Sequence, residues 1–460
     1  MTRLSRALLK RFGVTRLRPG QREVIESVLS GRDTLAIMPS GAGKSLCFQL
    51  PALQLPGTTV VVSPLISLMK DQADKLADKG VEAAAVNSTL STREEAQTLR
   101  RVRRGRAEVV FTTPELLADP EFIATLKRNA VDFLVVDEAH CISQWGHDFR
   151  PAFLGIDAAA SKLGNPPVLA LTATATPEVA EDIARKLGRP RMRILNGGVF
   201  RDNLRLSVRQ VTNEAERLDA LLALIRRNTG AGIVYTATVK AAQMLHRQLK
   251  DAGIEALLYH GKLSGADRAA QQDAFMSAAA PLMVATNAFG MGIDKPDIRL
   301  VAHYQVPGSL EAYYQEAGRA GRDGREAHCV LLYDHSDRRL QLFFARSHDR
   351  TRRETERGKV ERMVHYAQST RCRWQDILDY FAEPSDRPCG ACDNCLRPHP
   401  AEARVLAIPA QPALWKAGDP VEVPQYGRGV VAEHAADRVA VSFADGVTKE
   451  FDPQFVSRVS

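Results

Sequence analysis

Apolar positions along this chain gather into short dense runs with amphipathic spacers between them. Thr34 to Met38, Val60 to Val62, Val109 to Phe111, Leu134 to Val136 and Val168 to Leu171 are such runs, and each ends in hydroxyls, proline or acids. Continuous apolar runs suit strands buried on both faces of a parallel sheet. The spacers keep helical spacing, as in Gln21 to Leu29, where Val24, Ile25 and Val28 share a face. The pattern predicts a parallel, doubly wound α/β lobe over residues 1–195. A second set of runs, Ile233 to Thr236, Ala256 to Tyr259, Leu282 to Ala285, Leu300 to His303 and His328 to Leu332, predicts another α/β lobe over 196–345. Helical spacing at Val360, Met363 and Val364 then gives a charged helical hairpin within 346–397. A Pro- and Ala-rich stretch, 398–413, reads as a linker. Short β runs with turn signals at Tyr426-Gly427-Arg428-Gly429 and Asp445-Gly446 predict a small all-β barrel over 414–460.

The polar ends of these runs carry the chemistry. After the first run, Pro39-Ser40-Gly41-Ala42-Gly43-Lys44-Ser45 opens a helix. Small residues let backbone N–H groups curl toward phosphates, Lys44 balances their charge and Ser45 can ligate magnesium. Met38 stands where the strict pattern has glycine. The run Leu134 to Val136 delivers Asp137, Glu138 and His140 to a strand's carboxyl end, where open α/β sheets hold ligands, and a magnesium acid is the partner such a loop requires. Trp145, His147, Phe149 and Arg150 follow at once, a polar and aromatic mixture suited to flat anionic partners. Upstream, Arg18 and Gln21 offer a guanidinium to pack on a purine and an amide to match its edge. The second lobe has no phosphate loop but carries Arg319 and Arg322 among small residues, in the manner of fingers on transferred phosphoryl charge.

Charge and cysteines extend the picture. A 460-residue chain with 45% apolar and 25% charged residues holds two large cores plus small modules. The formal charge of +8 permits a polyanionic partner. No apolar run reaches membrane-span length and Met1 to Arg16 lacks a signal-peptide core, which predicts a cytoplasmic protein. Four of the seven cysteines, Cys372, Cys389, Cys392 and Cys395, fall in one short segment. Their Cys-x-x-Cys spacing suits tetrahedral zinc in a structural role, whereas Cys47, Cys141 and Cys329 read as lone thiols. The tail over 411–460 has five Lys/Arg against seven Asp/Glu, which favours a protein partner over a phosphate backbone there.

Taken in order, FGVTRLRPGQ, SGAGKS, SPLISLMKDQ, TTPEL, DEAHCISQWGHDFRP, LTATAT, ATNAFGMGIDKPDIR and QEAGRAGRDG resemble the RecQ family of superfamily-two DNA helicases, over residues 10–396. The continuation CISQWGHDFRP makes the likeness specific, since DEAH alone is shared with many RNA helicases. The resemblance implies two RecA-like parallel-sheet lobes and a helical zinc module; the small all-β barrel read after them is similar to the SH3- or Tudor-like tails of some other bacterial helicases. It implies ATP, Mg2+ and Zn2+ as cofactors, DNA (single-stranded and tailed duplex) as partner, and 3′ to 5′ movement in repair or recombination near the nucleoid. By the same resemblance Arg18 and Gln21 contact adenine. Gly41, Gly43, Lys44 and Ser45 hold phosphates and magnesium, Asp137 holds magnesium, and Glu138 activates water. His140, Arg319 and Arg322 join the catalytic set, and Trp145 to Arg150 couples DNA to ATP. Thr236 to Val239 and Tyr259 to Leu263 depart from the family's usual segments. The usual winged-helix and helicase-RNase D C-terminal domains are expected to be missing. An RNA helicase, a translocase with weak unwinding and an ATP-gated DNA-binding adaptor stay open as alternatives.

Overall fold

The computed structural model of this chain describes residues 6–146, 148–290, 293–345, 350–397, 415–424, 426–435, 438–451 and 453–459. The predicted linker, 398–413, and His147 lie outside the described residues. Two compact units divide the chain: 1–201 with 290–296 and 378–383, and the remainder.

The first unit is built on a parallel seven-stranded sheet: β1 (Thr34–Ile37), β2 (Thr58–Val62), β3 (Ala83–Val86), β4 (Val109–Thr112), β5 (Val131–Val136), β6 (Val168–Thr172) and β7 (Arg193–Asn196). Their spatial order is β3-β4-β2-β5-β6-β1-β7. Alternate residues of each strand feed opposite layers. Leu35, Val60, Leu134 and Val136 enter one core, while Ala36, Val61, Phe133 and Val135 enter the other. A sheet covered on both faces explains why its strands read as unbroken apolar runs rather than alternation. The order has a consequence for the site. It sets the carboxyl ends of β5, β6 and β1 side by side, so the segments following Val136, Thr172 and Ile37 meet along one edge.

The second unit carries a parallel six-stranded sheet: β8 (Leu204–Gln210), β9 (Ala231–Tyr235), β10 (Leu257–Tyr259), β11 (Leu282–Ala285), β12 (Ile298–His303) and β13 (Ala327–Tyr333), in the order β10-β11-β9-β12-β13-β8. Its core joins Val234, Val284, Leu300 and Leu332 to helix residues Leu221 and Leu245. Helices Ser336–Phe344, Arg350–Gln368 and Arg373–Tyr380 follow, and the last five strands form a separate antiparallel sheet. These are β14 (Pro420–Val423), β15 (Gly427–Ala435), β16 (Arg438–Phe443), β17 (Thr448–Phe451) and β18 (Ser457–Arg458), around Val421, Val439, Val441 and Phe451. Among the described residues no helix is long and apolar enough to cross a membrane.

Every apolar run singled out in the two lobes lies in a strand, overrunning it by at most one residue, and three strands of the two parallel sheets were missed. β3 is largely alanine, which has little strand preference. β7 is an exposed edge strand paired only with β1. β8 alternates, with Leu204, Leu206 and Val208 inward, and a period of two was there to be read.

Candidate functional site

The segment after β1 bends back on itself before the helix Leu46–Ala52. Gly43 has φ +80, and a Cβ there would lie 2.6 Å from Gln21 Nε2, so only glycine fits. That contact identifies what holds the loop. Gln21 is 1% exposed, and its Nε2 donates to the carbonyls of Ala42 (3.0 Å) and Gly43 (2.9 Å). Its Oε1 accepts from the Arg18 N–H at 2.8 Å. The amide singled out for a purine edge is thus engaged with the loop itself, while the Arg18 side chain is exposed. Lys44 Nζ donates to the Met38 carbonyl at 3.2 Å, and Ser45 makes no capping bond to the helix it precedes.

Beside the loop, β5 leads into an acidic pair, Asp137 buried and Glu138 half-buried. Asp137 is 9% exposed, its backbone N–H donates to Val62 O at 2.8 Å, and its Oδ1 accepts from the Glu138 N–H at 3.0 Å. Burial pushes the Asp137 carboxyl up to about 7, and the neighbouring Glu138 charge adds to the rise, with Lys44 opposing it. Glu138 sits in the left-handed region at φ 51, a conformation that a non-glycine residue keeps only when its surroundings impose it. His140 is buried, with Nδ1 3.0 Å from Thr172 Oγ1 and 3.3 Å from Glu138 Oε2. The Thr172 hydroxyl donates to Thr174 O at 2.9 Å, so its lone pair can accept from His140 Nδ1 in the tautomer that carries a proton there. Glu138 Oε2 is buried without a hydrogen bond among the described residues. Sequence reading saw Thr172 and Thr174 only as a strand end. The adjacency of β5 and β6 makes them the acceptors behind the histidine.

The loop after this pair divides in two. Trp145 is 48% exposed, and Phe149 is half-buried. Arg150 instead reaches inward, donating from Nε and Nη2 to Asp148 Oδ2 at 3.2 and 3.1 Å and from Nη1 to Pro64 O at 3.4 Å. In this structure Arg150 braces the loop against the segment after β2.

In the second unit, Arg319 is buried and Arg322 half-buried, just past the helix Leu310–Ala317. Burial pushes the Tyr235 hydroxyl up, and the Arg319 charge and hydrogen bond oppose that rise. Glu316, on the same helix, lies 2.8 Å from His303 Nε2. The arginines lie among small residues. At Gly321 the close approach is internal: a Cβ would fall 2.5 Å from Asn203 Nδ2, which donates to the carbonyls of Gly321 and Arg325.

Cys372, Cys389, Cys392 and Cys395 converge, their four sulfurs all within 4.8 Å of one another. Tetrahedral zinc with Zn–S of about 2.3 Å sets sulfurs about 3.8 Å apart, and Cys389 and Cys395 stand at 3.9 Å. Backbone N–H groups already face three sulfurs: Cys389 N to Cys372 (3.2 Å), Arg373 N to Cys392 (3.4 Å) and Ala391 N to Cys389 (3.4 Å). Such donors favour thiolates. A hydrogen bond from the Cys392 thiol holds Cys372 down to about 4 against the effect of burial. The donor set and spacing fit zinc. Fully buried Arg373 bridges this segment to its surroundings, pairing with Asp393 at 2.9 and 3.0 Å, while Asp393 Oδ2 accepts from the Val208 N–H of β8 at 3.2 Å. Cys47, Cys141 and Cys329 are buried, and burial lifts the Cys47 thiol to about 12.

Family models match in series: a DEAD/DEAH box helicase domain over 18–183, a helicase conserved C-terminal domain over 215–324 and a RecQ zinc-binding domain over 335–396. The ATP-dependent DNA helicase RecQ of Bacillus subtilis is 44% identical over 387 residues, covering 84% of this chain and 65% of that protein. This chain therefore spans just under two thirds of that relative. A protein of the same organism named as a probable ATP-dependent DNA helicase, RecS, is 44% identical over 344 residues, 74% of this chain and 69% of its own length. In fold, the chain is similar to the Mycobacterium smegmatis helicase Lhr solved with single-stranded DNA and AMP-PNP, with a TM-score of 0.61, 22% identity, and coverage of 84% of this chain and 56% of that one. Two parallel-sheet lobes, a four-cysteine cluster under the zinc-domain match and close identity over most of the length of such a relative lead to one assignment: the chain belongs to the RecQ family of helicases.

Proposed function

We propose that this chain is an ATP-dependent DNA helicase or translocase that moves 3′ to 5′ along one strand, acting at the nucleoid in repair or recombination. The observation that carries the reading is the acidic pair after β5, buried Asp137 and half-buried Glu138, with the Lys44 charge acting on Asp137. The relatives' names, ATP-dependent DNA helicases, support the substrate class.

On this reading the curled loop from Gly41 to Ser45 turns N–H groups toward the phosphates, and Lys44 leaves the Met38 carbonyl to neutralise them. Ser45 and Asp137 are the residues that would hold magnesium, whose charge would offset that of the phosphates; the raised Asp137 carboxyl fits a cation neighbour. Glu138, whose Oε2 lacks a donor, accepts the proton of the attacking water. His140 keeps Glu138 oriented and carries its position to Thr172 and Thr174. Arg319 and Arg322 stabilise transferred phosphoryl charge, and the exposed Arg18 side chain meets the adenine while Gln21 holds the loop. Trp145 and Phe149 stack on bases, with Arg150 as the brace of their loop. Four cysteines hold structural zinc, and the acidic C-terminal β domain takes a protein partner.

DNA-stimulated ATP hydrolysis, measured beside strand displacement on a 3′-tailed duplex, tests the proposal. Turnover raised by DNA more than by RNA, together with displacement, is the expected result. Stimulation by RNA alone would assign an RNA helicase. Absence of turnover would leave an ATP-gated adaptor.

A further inference from the structure

The helix Arg373–Tyr380 ends in a turn that glycine usually makes and alanine makes here. The Glu383 N–H donates to Leu378 O at 2.8 Å and the Ala382 N–H to Asp379 O at 3.1 Å, a 6→1 and a 5→2 bond, with Ala382 at φ +57. A Cβ is strained at that φ, and such strain persists only where the surroundings impose it. The same six residues also change unit. Residues 378–383 belong to the first unit, while the chain before them from 297 and after them from 384 belongs to the second. The turn therefore delivers Glu383, the residue after it, into the first unit.

What Glu383 holds there is the chain that leaves β7 for the second unit. Its Oε1 accepts from Asn196 Nδ2 at 2.6 Å and its Oε2 from the Val199 N–H at 2.9 Å. Bonds to a charged acceptor are the stronger kind. The stretch is also fastened to itself and to β1: Asn196 Oδ1 accepts from the Gly198 N–H at 3.0 Å, and the Gly197 N–H donates to Ile37 O at 2.8 Å. Ile37 ends β1, one residue before Met38, whose carbonyl takes Lys44. One carboxylate thus ties down the connection between the units where it starts, beside the root of the phosphate loop.

We propose that Glu383 is a positioning residue: it fixes the point at which the connection leaves the first unit, so that ATP hydrolysis moves the second unit by a defined step along DNA. It rests on the DNA reading above and deepens it. Gly198 and Val199, if let loose, would add about 7 Å of slack at about 3.3–3.6 Å each, against a spacing of about 3.4 Å per nucleotide. Slack of that size absorbs a step and spares the chemistry.

The ratio of ATP hydrolysed to strand displaced on a 3′-tailed duplex, measured with the full chain, tests the assignment. Glu383→Ala is expected to raise that ratio at least about fivefold, the loss of about one net hydrogen bond, with the KM for ATP unchanged. Asn196→Asp, which sets a second carboxylate against the first, should do the same. Adding Glu383→Gln to Asn196→Asp should restore the parent's ratio, because the new amide can donate to the new carboxylate and still accept from the Val199 N–H. Should Glu383→Ala fail to fold, Asn196→Asp, at an exposed position, decides alone. If the parent displaces strands and the single variants keep its ratio, or lose hydrolysis and displacement in step, Glu383 does not set the step and the DNA reading stands. A pair of substitutions that fails to restore the ratio also overturns the assignment. A parent without DNA-stimulated hydrolysis overturns both.

Discussion

The phosphate loop and the cysteine cluster are two opposite ways to build a site. The loop stands on a parallel sheet whose strands are buried on both faces, so the fold exists before any ligand and can keep poorly satisfied groups at its edge: a raised Asp137, a Glu138 oxygen without a donor, a left-handed Glu138 backbone. The cysteine segment has no such support of its own. Around Cys389 to Cys395 lie Gly390, Asp393 and Asn394, and what holds them is sulfur geometry, N–H donors to sulfur and the Arg373–Asp393 pair. In the first site the core positions the ligands. In the second the ligands stand in for the core, and each can be broken where the other survives.

Removing zinc should give the largest effect. Structural zinc in small modules contributes on the order of 10 kcal/mol of folding free energy. Chelation, or Cys392→Ala, should abolish one zinc per chain by metal analysis and remove a distinct step from the melting curve, with ATP still binding the first unit. Melting curves identical with and without zinc would erase the contrast.

Glu138→Gln comes next. It keeps shape and removes the proposed base, so ATP hydrolysis should fall about 10²- to 10⁴-fold, while a fluorescent nucleotide analogue binds as before. Near-normal turnover would make Glu138 another structural group, and the first site would lose its claim to unsatisfied chemistry.

How much of this was legible in the sequence follows the same divide. Parallel strands buried on both faces leave a local signal, which is why Leu282–Ala285 was read to the residue. Spacing likewise revealed the four cysteines. What could not be read locally were pairings set by strand order. His140 reaches Thr172 because β6 lies beside β5, and Gln21 reaches Gly43 across 22 residues of chain. Nothing in either stretch names its partner. β8 was missed for a different reason: its alternation is plain, but it forms the sheet's edge, where Trp374 Nε1 donates to Leu204 O and Asp393 accepts from Val208.

The raised Asp137 carboxyl makes a pH prediction of fixed sign. Between the ordinary value of 3.8 and about 7 the folded chain holds a proton that the unfolded chain releases. Without nucleotide or divalent cation, stability should therefore fall as pH rises from about 4 to about 7 and level off above. Asp337, raised to about 7 mainly by burial in the second unit, adds a slope of the same sign, so the readout is the difference between parent and variant. Asp137→Asn should remove its share and flatten the melting profile. A variant with the parent's slope would mean that the pair is not strained in the ligand-free fold.

The smallest expected effect tests whether the loop is held ready or shaped by its ligand. Gln21 gives two hydrogen bonds to the loop and takes one from Arg18, each worth about 0.5–1.5 kcal/mol net. Gln21→Ala leaves the Ala42 and Gly43 carbonyls for water and the Arg18 N–H without its acceptor, and should weaken nucleotide binding about 5- to 30-fold, the equivalent of about 1–2 kcal/mol. The maximal hydrolysis rate should change little, because neither Asp137 nor Glu138 touches the amide among the contacts of Gln21. Gln21→Glu sharpens the question. A carboxylate can still accept from Arg18 but cannot donate to two carbonyls, so if the clamp matters it should bind nucleotide no better than alanine. If glutamate restored affinity, the loop would be shaped by nucleotide rather than by Gln21, and the first site would resemble the cysteine cluster in needing its ligand to take form.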